Sequence, residues 1–441
     1  MLSSLAQTEP AASAPARHPL SLAVIGLGYV GLPLSVEFAS AGHNVVGLDV
    51  DERKVESIVA RASYIPDVES SEIARLVDSG NLTASTDFSL LANADAIIIA
   101  VPTPLRKTKD PDVSYIVAAA EQVAKYLRKG QIVVLESTTY PGTTEELLLP
   151  MFSQGGLTVG VDFFLAFSPE RVDPGNAKFG TRNITKIVGG VTPLCTRKAV
   201  ELYETAVENV VAVSGARVAE TAKLLENTFR SVNIALVNEL ALMCHHLDVD
   251  VWEVIDAAAT KPFGFMKHTP GPGIGGHCIP LDPFYLSWKA RLNGFEAKFI
   301  ALAGEVNGGM PEHVVRLVSD GLNEDGKPLK GSRILVLGIA YKKNVGDMRE
   351  SPAIEIIQSL RAKGAVVSYN DPFVPEMKLD KWSAESVDLD PETIAANDAV
   401  LLITDHCAYD WDKILPNCRL FVDTRNATKG IEHLAGRVVK L

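Results

Sequence analysis

Leu22-Ala-Val-Ile-Gly26-Leu-Gly28-Tyr29-Val30-Gly31, with Asp49 closing the next apolar run, is the stretch that decides the fold. Four apolar residues lead into a Gly-x-Gly-x-x-Gly turn, and a segment of helical periodicity follows. Each glycine meets a physical need: the first makes a tight turn, the second lets a pyrophosphate approach, and the third packs helix against strand. The helix N-terminus then favours an anion, and Asp49 is placed to accept hydrogen bonds from a ribose. This pattern describes the strand, turn and helix of a dinucleotide site. Asp49 would repel a 2′-phosphate, which favours NAD over NADP. Arg53 is either a receiver for that phosphate or a solvated helix residue.

Outward from this stretch, short apolar runs alternate with amphipathic segments, as in successive βαβ units of a parallel sheet. Strands are predicted at Leu22–Ile25, Val45–Leu48, Ala96–Val101 and Ile132–Glu136. From Ala216 to Leu247 the residues Val218, Leu225, Phe229, Val232, Leu236, Leu240 and Met243 recur at helical spacing without Pro or Gly. This predicts a helix of roughly 48 Å, long enough to join domains or pack on a partner. A second series follows the polar stretch Asn323–Lys330, with strands at Ile334–Leu337, Val366–Tyr369, Ala399–Ile403 and Leu420–Val422. Its order repeats the first: Gly338 matches Gly26, Asp371 matches Asp49, and NDAVLLITD parallels ADAIIIAVP. The expected fold class is α/β, with two Rossmann-like, doubly wound parallel-sheet domains joined by a central helical domain that carries one long helix. The expected divisions are a flexible tail 1–19, a dinucleotide domain 20–215, a helical domain 216–322 and a C-terminal domain 323–441.

The 441 residues carry 42 Lys and Arg against 54 Asp and Glu, a formal charge of −12. Such a chain has no broad basic field to collect a nucleic-acid polymer or anionic lipid, and only a local basic pocket for one nucleotide fits. No run of about 18 apolar residues predicts a membrane span, and the Ala, Ser and Pro-rich start lacks the pattern of a secretion signal. A cytoplasmic location is expected. Five cysteines without a CxxC pair argue against a disulfide framework and a metal site.

Chemistry concentrates in Pro270-Gly-Pro-Gly-Ile-Gly-Gly-His-Cys278-Ile-Pro-Leu-Asp282-Pro283. Dense glycine lets the backbone approach a ligand and present N–H groups to phosphate, and a thiolate is a strong nucleophile near neutral pH. Cys278 is thus either catalytic or a buried structural thiol, and the structural reading is expected for Cys195, Cys244, Cys407 and Cys418. His277 adjoins the thiol, but consecutive side chains diverge, so it reads as structural. Lys223 and Asn227 stand four apart on the long helix, as an oxyanion or water site or as a solvated stripe. Glu170 and Arg171, in the loop sequence SPERVDP, read as a loop ion pair. Lys342, Arg349 and Arg425 follow strands of the second series, and three cations at the carboxyl edge of a parallel sheet suit a diphosphate.

Taken together, GLGYVG with Asp49, VPTP (101–104), ESTTYPGT (136–143), SPERVDPG, KLLENTFR (223–230), GPGIGGHCIPLDP and YKKNVGDMRESP (341–352) resemble, in order, the UDP-glucose/GDP-mannose dehydrogenase family. HCIPLDPFYLSWKAR after TKPFGF is most similar to its UDP-N-acetylglucosamine 6-dehydrogenase branch. The resemblance implies oxidation of a sugar C6 alcohol to a carboxylate with two NAD, for surface polysaccharide precursors. It makes Cys278 the nucleophile that carries a thiohemiacetal and then a thioester, and Lys223 the group that assists deprotonation. Asp282, Glu170 and Asn227 position the hydrolytic water. Cofactor contacts implied are the glycine turn with Tyr29 and Val30, then Asp49, Arg53, Thr103, Thr138 and Arg349. Substrate contacts implied are Glu170, Arg171, Val172, Lys223, Asn227, Gly271, Gly273, Gly275, Gly276, Lys342 and Arg425, the last two in a UDP-binding C-terminal domain. A homodimer or larger assembly through the central helix is also implied.

Leu281 and Pro262-Phe263 stand where the UDP-glucose branch carries charge, which favours an N-acetylated sugar over UDP-glucose. The same reaction on UDP-N-acetylmannosamine, UDP-N-acetylgalactosamine or UDP-glucose is the alternative within enzymes. A non-catalytic NAD or nucleotide-sugar sensor is the alternative outside them, although a sensor has no need of Cys278 and Asp282 together.

Overall fold

The computed structural model describes residues 18–106, 110–173, 178–379, 382–431 and 436–441, so the expected tail lies outside it up to residue 17. Two compact units emerge. The first holds the chain up to Pro102, Ser114–Ser137 and Gly142–Ala219, and the second holds Thr103–Val113, Thr138–Pro141 and Glu220–Leu441.

The first unit is built on strands β1 (Ser21–Ile25), β2 (Asn44–Leu48), β3 (Leu82–Ser85), β4 (Ala96–Ile99), β5 (Ile132–Leu135), β6 (Phe164–Phe167), β7 (Lys186–Gly190) and β8 (Val210–Ala212). Their order in the sheet is β3-β2-β1-β4-β5-β6-β7-β8. The first six follow the doubly wound dinucleotide order, whose ligand crevice lies where the order reverses, between β1 and β4. β4 (AIII) and β5 (IVVL) are buried at every residue, as parallel strands covered on both faces must be. Leu22, Val24, Leu32, Phe38, Ile98 and Val134 fill the core between the sheet and its helices. β6 and β7 run antiparallel, pairing Ala166 with Gly190 and Phe167 with Gly189.

In the second unit, β9 (Arg333–Leu337), β10 (Val366–Asn370), the hairpin β11 (Glu376–Leu379) with β12 (Trp382–Glu385), β13 (Ala399–Leu402), β14 (Leu420–Asp423) and β15 (Arg437–Lys440) follow one another. The five-stranded sheet runs β10-β9-β13-β14-β15, parallel throughout. This is the other common doubly wound order, with its reversal between β9 and β13. All eight predicted strands are present within two residues of their expected ends, and the sheet orders bear out the two Rossmann-like domains.

The helix predicted from Ala216 to Leu247 spans those residues. Val237, Ala241 and Cys244 on it pack against Val251, Trp252 and Ile255. The predicted stripe instead faces outward: Leu225, Phe229, Leu236 and Met243 are 45–60% exposed. A helix this apolar on two faces covers one core and leaves a second face uncovered. Among the described residues no helix is long and apolar enough to cross a membrane.

Candidate active site

In the first unit, the turn after β1 has the shape a dinucleotide needs. Gly26 takes φ +92, and a Cβ on it would lie 2.5 Å from the carbonyl oxygen of Ala100. A Cβ on Gly31 would overlap the Gly26 carbonyl, whereas nothing stands within 4 Å of the place a Cβ on Gly28 would occupy. The helix Gly31–Ser40 starts at Val30 with no side-chain cap, so its first N–H groups suit an anion. Asp49 is buried at the end of β2. Its Oδ2 accepts from the Leu27 N–H at 2.8 Å and from Lys54 Nζ at 2.8 Å, and its Oδ1 accepts from the Asp51 N–H at 3.0 Å. A carboxylate has about four lone-pair sites, which leaves Oδ1 one acceptor position for a ribose hydroxyl. These residues fit NAD. Arg53 forms a two-point pair with the Asp51 carboxylate at 2.8 and 2.9 Å on the surface. Lys54, which the sequence did not single out, is the side chain that balances Asp49.

Beyond β6, Glu170 is held by its own loop. Its Oε1 accepts the N–H of Arg171 at 2.7 Å and of Val172 at 2.8 Å, and its Oε2 lies 3.3 Å from Lys186 Nζ. Burial acts to raise the Glu170 carboxyl, but Lys186 and the two N–H groups outweigh it and hold it below the usual carboxylate range. Lys186 gave no signal in the sequence, because a lysine opening a short strand reads as a solvated end. The Arg171 guanidinium donates to the Thr185 carbonyl at 2.6 Å, and Val172 is half-buried beside it.

The second unit brings the cysteine loop to the long helix. The Asn227 amide donates to Asp282 Oδ2 at 2.5 Å. Asp282, Lys223 and Asn227 are all buried, so the two residues four apart on the helix are not a solvated stripe. Burial lifts the Asp282 carboxyl to about 6, against the opposing pull of Lys223 and the Asn227 hydrogen bond. The Cys278 carbonyl accepts the Leu281 and Asp282 N–H groups, which seats the cysteine one turn ahead of the helix Asp282–Leu292. Cys278 is an exposed thiol, as a nucleophile must be. Cys195, Cys244 and Cys418 are buried as expected, but Cys407 is exposed and corrects its structural reading; it follows the β13 edge, where a loop and not the core receives it. His277 is 3.7 Å from Asp347, which also pairs with Arg349 at 2.8 Å. Thr103 is tied in through its carbonyl, which accepts the Tyr285 hydroxyl, and Thr138 is half-buried in a loop whose Tyr140 packs on Trp288 at 4.9 Å.

The glycines of the loop admit large neighbours. A Cβ on Gly271 would come within 2.7 Å of the Arg425 guanidinium, one on Gly273 within 3.0 Å of Pro352, and those on Gly275 and Gly276 within 2.8 and 3.0 Å of Tyr341. Arg425, whose Nε donates to the Ile403 carbonyl at 2.7 Å, and Tyr341 thus meet the glycine loop; Lys342 follows Tyr341 in the chain and is half-buried. Asn238, which sequence reading passed over as one polar residue on a long helix, accepts the Gly271 N–H at 2.9 Å and donates to Asn307 at 2.9 Å. A cavity of about 630 Å³ opens at Gly273, Ile274, Pro280 and Glu350, within the roughly 300–1,000 Å³ of small-molecule sites.

Two outcomes are expected. Asp49→Asn keeps an acceptor for Leu27 but removes the charge. Hydrogen bonds to a charged group are worth about 1.5–3 kcal/mol, so initial rates should show the NAD over NADP preference falling about tenfold or more. A step that uses the Asp282 carboxylate loses rate as pH falls through about 6, since the raised group takes up its proton there. A kcat profile from pH 5 to 8 should show that limb, and Asp282→Asn should lower the plateau and abolish it.

Comparison with known proteins identifies three segments of the chain. Residues 20–207 match the NAD binding domain of the UDP-glucose/GDP-mannose dehydrogenase family, 217–308 its central domain and 335–430 its UDP binding domain. The chain is 37% identical over 427 residues to UDP-N-acetyl-D-mannosamine dehydrogenase of Salmonella typhi, covering 92% of this chain and 98% of that one. It is 36% identical over 357 residues to UDP-N-acetyl-D-glucosamine 6-dehydrogenase of Pseudomonas aeruginosa, covering 80% and 83%. The solved UDP-N-acetylmannosamine dehydrogenase of Pyrococcus horikoshii superposes with a TM-score of 0.87 at 33% identity, over 96% of this chain and 99% of that one. With a glycine turn and Asp49 that fit NAD, and three matched domains in order, the chain belongs to the UDP-glucose/GDP-mannose dehydrogenase family of NAD-dependent oxidoreductases.

Proposed function

We propose that the chain oxidises the C6 alcohol of UDP-N-acetyl-D-mannosamine to the carboxylate, consuming two NAD and one water for each sugar. The observation that carries the reaction class is the buried Asp282, Asn227 and Lys223 set one turn from the exposed Cys278 thiol. The glucosamine sugar expected from HCIPLDPFYLSWKAR gives way to mannosamine. The mannosamine relative from Salmonella typhi aligns over 92% of the chain and the glucosamine relative from Pseudomonas aeruginosa over 80%. UDP-N-acetylglucosamine and UDP-N-acetylgalactosamine are the alternatives, each differing from it only in stereochemistry.

NAD, when bound, accepts a hydride from C6 in each of two rounds. The hydroxyl proton passes to solvent water while Lys223 stabilises the oxyanion, and the Cys278 thiolate adds to the resulting aldehyde carbon. The second round leaves the sugar as a thioester on Cys278. Water then attacks the thioester carbon, the C–S bond breaks, and the electron pair leaves with the Cys278 sulfur. The two carboxylates divide the work by environment. Asp282, raised to about 6, takes the proton of the water. Glu170, held ionised by Lys186 and two N–H groups, orients it. Arg425, Lys342 and the glycine loop hold the diphosphate in a UDP-binding domain 323–441, with the dinucleotide domain at 20–215 and the helical domain at 216–322. Thr103, Thr138 and Arg349 serve the cofactor, and the site works in the cytoplasm, where both substrates are made.

NADH formed per sugar consumed, with the three stereoisomers as substrates and Cys278→Ser beside the wild type, tests this reading. Two NADH per UDP-N-acetylmannosamine and no uronate from Cys278→Ser are expected; one NADH per sugar overturns the thioester route, and a preference for another isomer overturns the sugar.

The outward stripe Leu225, Phe229, Leu236 and Met243 supports a homodimer or larger assembly through the long helix. Light scattering should find the wild type as a dimer or larger and Leu225→Glu/Leu236→Glu as a monomer.

A further inference from the structure

Behind Glu170 lies a polar cluster whose other members touch no reacting atom in the proposed reaction. Lys186 is fully buried, and its Nζ reaches Glu136 at 2.7 and 3.0 Å, Glu170 at 3.3 Å and the Pro169 carbonyl at 3.3 Å. Three acceptor groups thus meet the three protons of the ammonium. Glu136 is also fully buried and accepts the Tyr203 hydroxyl at 2.5 Å. Tyr203 is itself buried, with its ring 5.6 Å from Lys186 Nζ. Only Glu170 of the four has a side chain with measurable exposure, at 11%.

The sheet places this cluster. The register that sets Ala166 opposite Gly190 and Phe167 opposite Gly189, continued beyond β6, sets Glu170 opposite Lys186. β5 ends at Leu135 beside Phe167, which brings Glu136 to the same edge. A lysine removed from water in this way is strongly penalised unless its partners are fixed. Two carboxylates facing one ammonium leave the cluster one negative charge in excess if all are ionised. Burial raises Glu136 to about 7 while Glu170 is held below the usual carboxylate range, so of the two it is Glu136 that takes up a proton first as pH falls.

We propose that Lys186, backed by Glu136 and Tyr203, is a positioning residue that acts through Glu170, holding its carboxylate ionised and in one fixed orientation, as the hydrolytic role given to it above requires. Oε1 of Glu170 is filled by two backbone N–H groups and Oε2 receives Lys186, so one acceptor position remains, on Oε2, to orient the water. The inference rests on the role given above to Glu170. The two hydride transfers precede hydrolysis, so loss of Lys186 slows the hydrolytic step and spares both transfers.

The full-length enzyme with NAD and UDP-N-acetylmannosamine, or whichever isomer it turns over, is mixed, quenched in acid and analysed by intact mass for a uronyl adduct on Cys278. Because Lys186→Met alone strands two buried carboxylates and risks misfolding, Lys186→Met/Glu136→Gln is the informative variant, with Glu170→Gln and Glu136→Gln as controls. The expected result for Lys186→Met/Glu136→Gln and for Glu170→Gln is a burst of two NADH per site, adduct accumulation, and kcat lowered about tenfold or more with KM for the sugar within about twofold. Glu136→Gln, which keeps the ammonium on Glu170, should turn over without adduct. Adduct in Glu170→Gln but none in the double variant overturns the role of Lys186 and leaves that of Glu170 standing. Adduct in neither overturns both. Equal loss of burst and turnover in the double variant marks a merely structural cluster and likewise overturns the proposal.

Discussion

A carboxylate at the end of one strand, accepting backbone N–H groups from the glycine turn of its neighbour, is the interaction on which both sheets depend. A turn that bends the chain sharply over a parallel sheet leaves its N–H groups buried and without a ladder partner, and each must be satisfied. Asp49 does this for Leu27 in the first sheet, and Asp371 does it for Ile339 and Ala340 in the second at 2.7 and 2.9 Å. Both turns open on a glycine at positive φ, Gly26 and Gly338. The same device serves different ends. Asp49 keeps an acceptor position on Oδ1, whereas Asp371 also meets His406 Nε2 at 3.1 Å and the Phe373 N–H at 2.8 Å. The first turn can therefore present its acid to a ribose, and the second uses its acid to hold a loop beside the strand edge from which Lys342 and Arg425 extend.

Burial weighs differently on the two carboxylates to which the proposed reaction gives work. Asp282 has one amide donor and a lysine charge nearby, too little to offset the loss of water, and it rises to about 6. Glu170 has two N–H donors and Lys186, enough to offset it, and it falls. One acid is thus suited to take a proton near neutral pH and the other to accept a hydrogen bond without taking one.

Much of the fold was legible in the chain. The eight strands expected from short apolar runs, and the helix from Ala216 to Leu247, stand where periodicity put them, because a strand buried on both faces and a long helix without Pro or Gly leave strong local patterns. β3 (LTAS), β7 (KIVGG), β8 (VVA), β11 (EMKL), β12 (WSAE) and β15 (RVVK) did not, since each has too few consecutive apolar residues to mark a strand, and β6 (FLAF) was passed over with them. Among the candidate residues, Cys278, Asp282, Lys223 and Asn227 were named through the ordered motifs, since residue type and spacing alone left Cys278, Lys223 and Asn227 open. Lys186, Tyr203, Asn238 and Asn307 were not, because a buried polar residue is defined by partners far away in sequence: Asn238 and Asn307 are 69 residues apart, and Lys186 and Glu136 are 50 apart.

The sequence by itself determined the glycine turns, the strand-end acids and the thiol in its loop, since each is a local demand of backbone conformation or of functional-group chemistry. Only the tertiary structure decided which acids stay ionised, which face of the long helix is left bare, and that Lys186 stands behind Glu170. Those outcomes follow from burial and from strand register, and both are properties of segments brought together from distant parts of the chain.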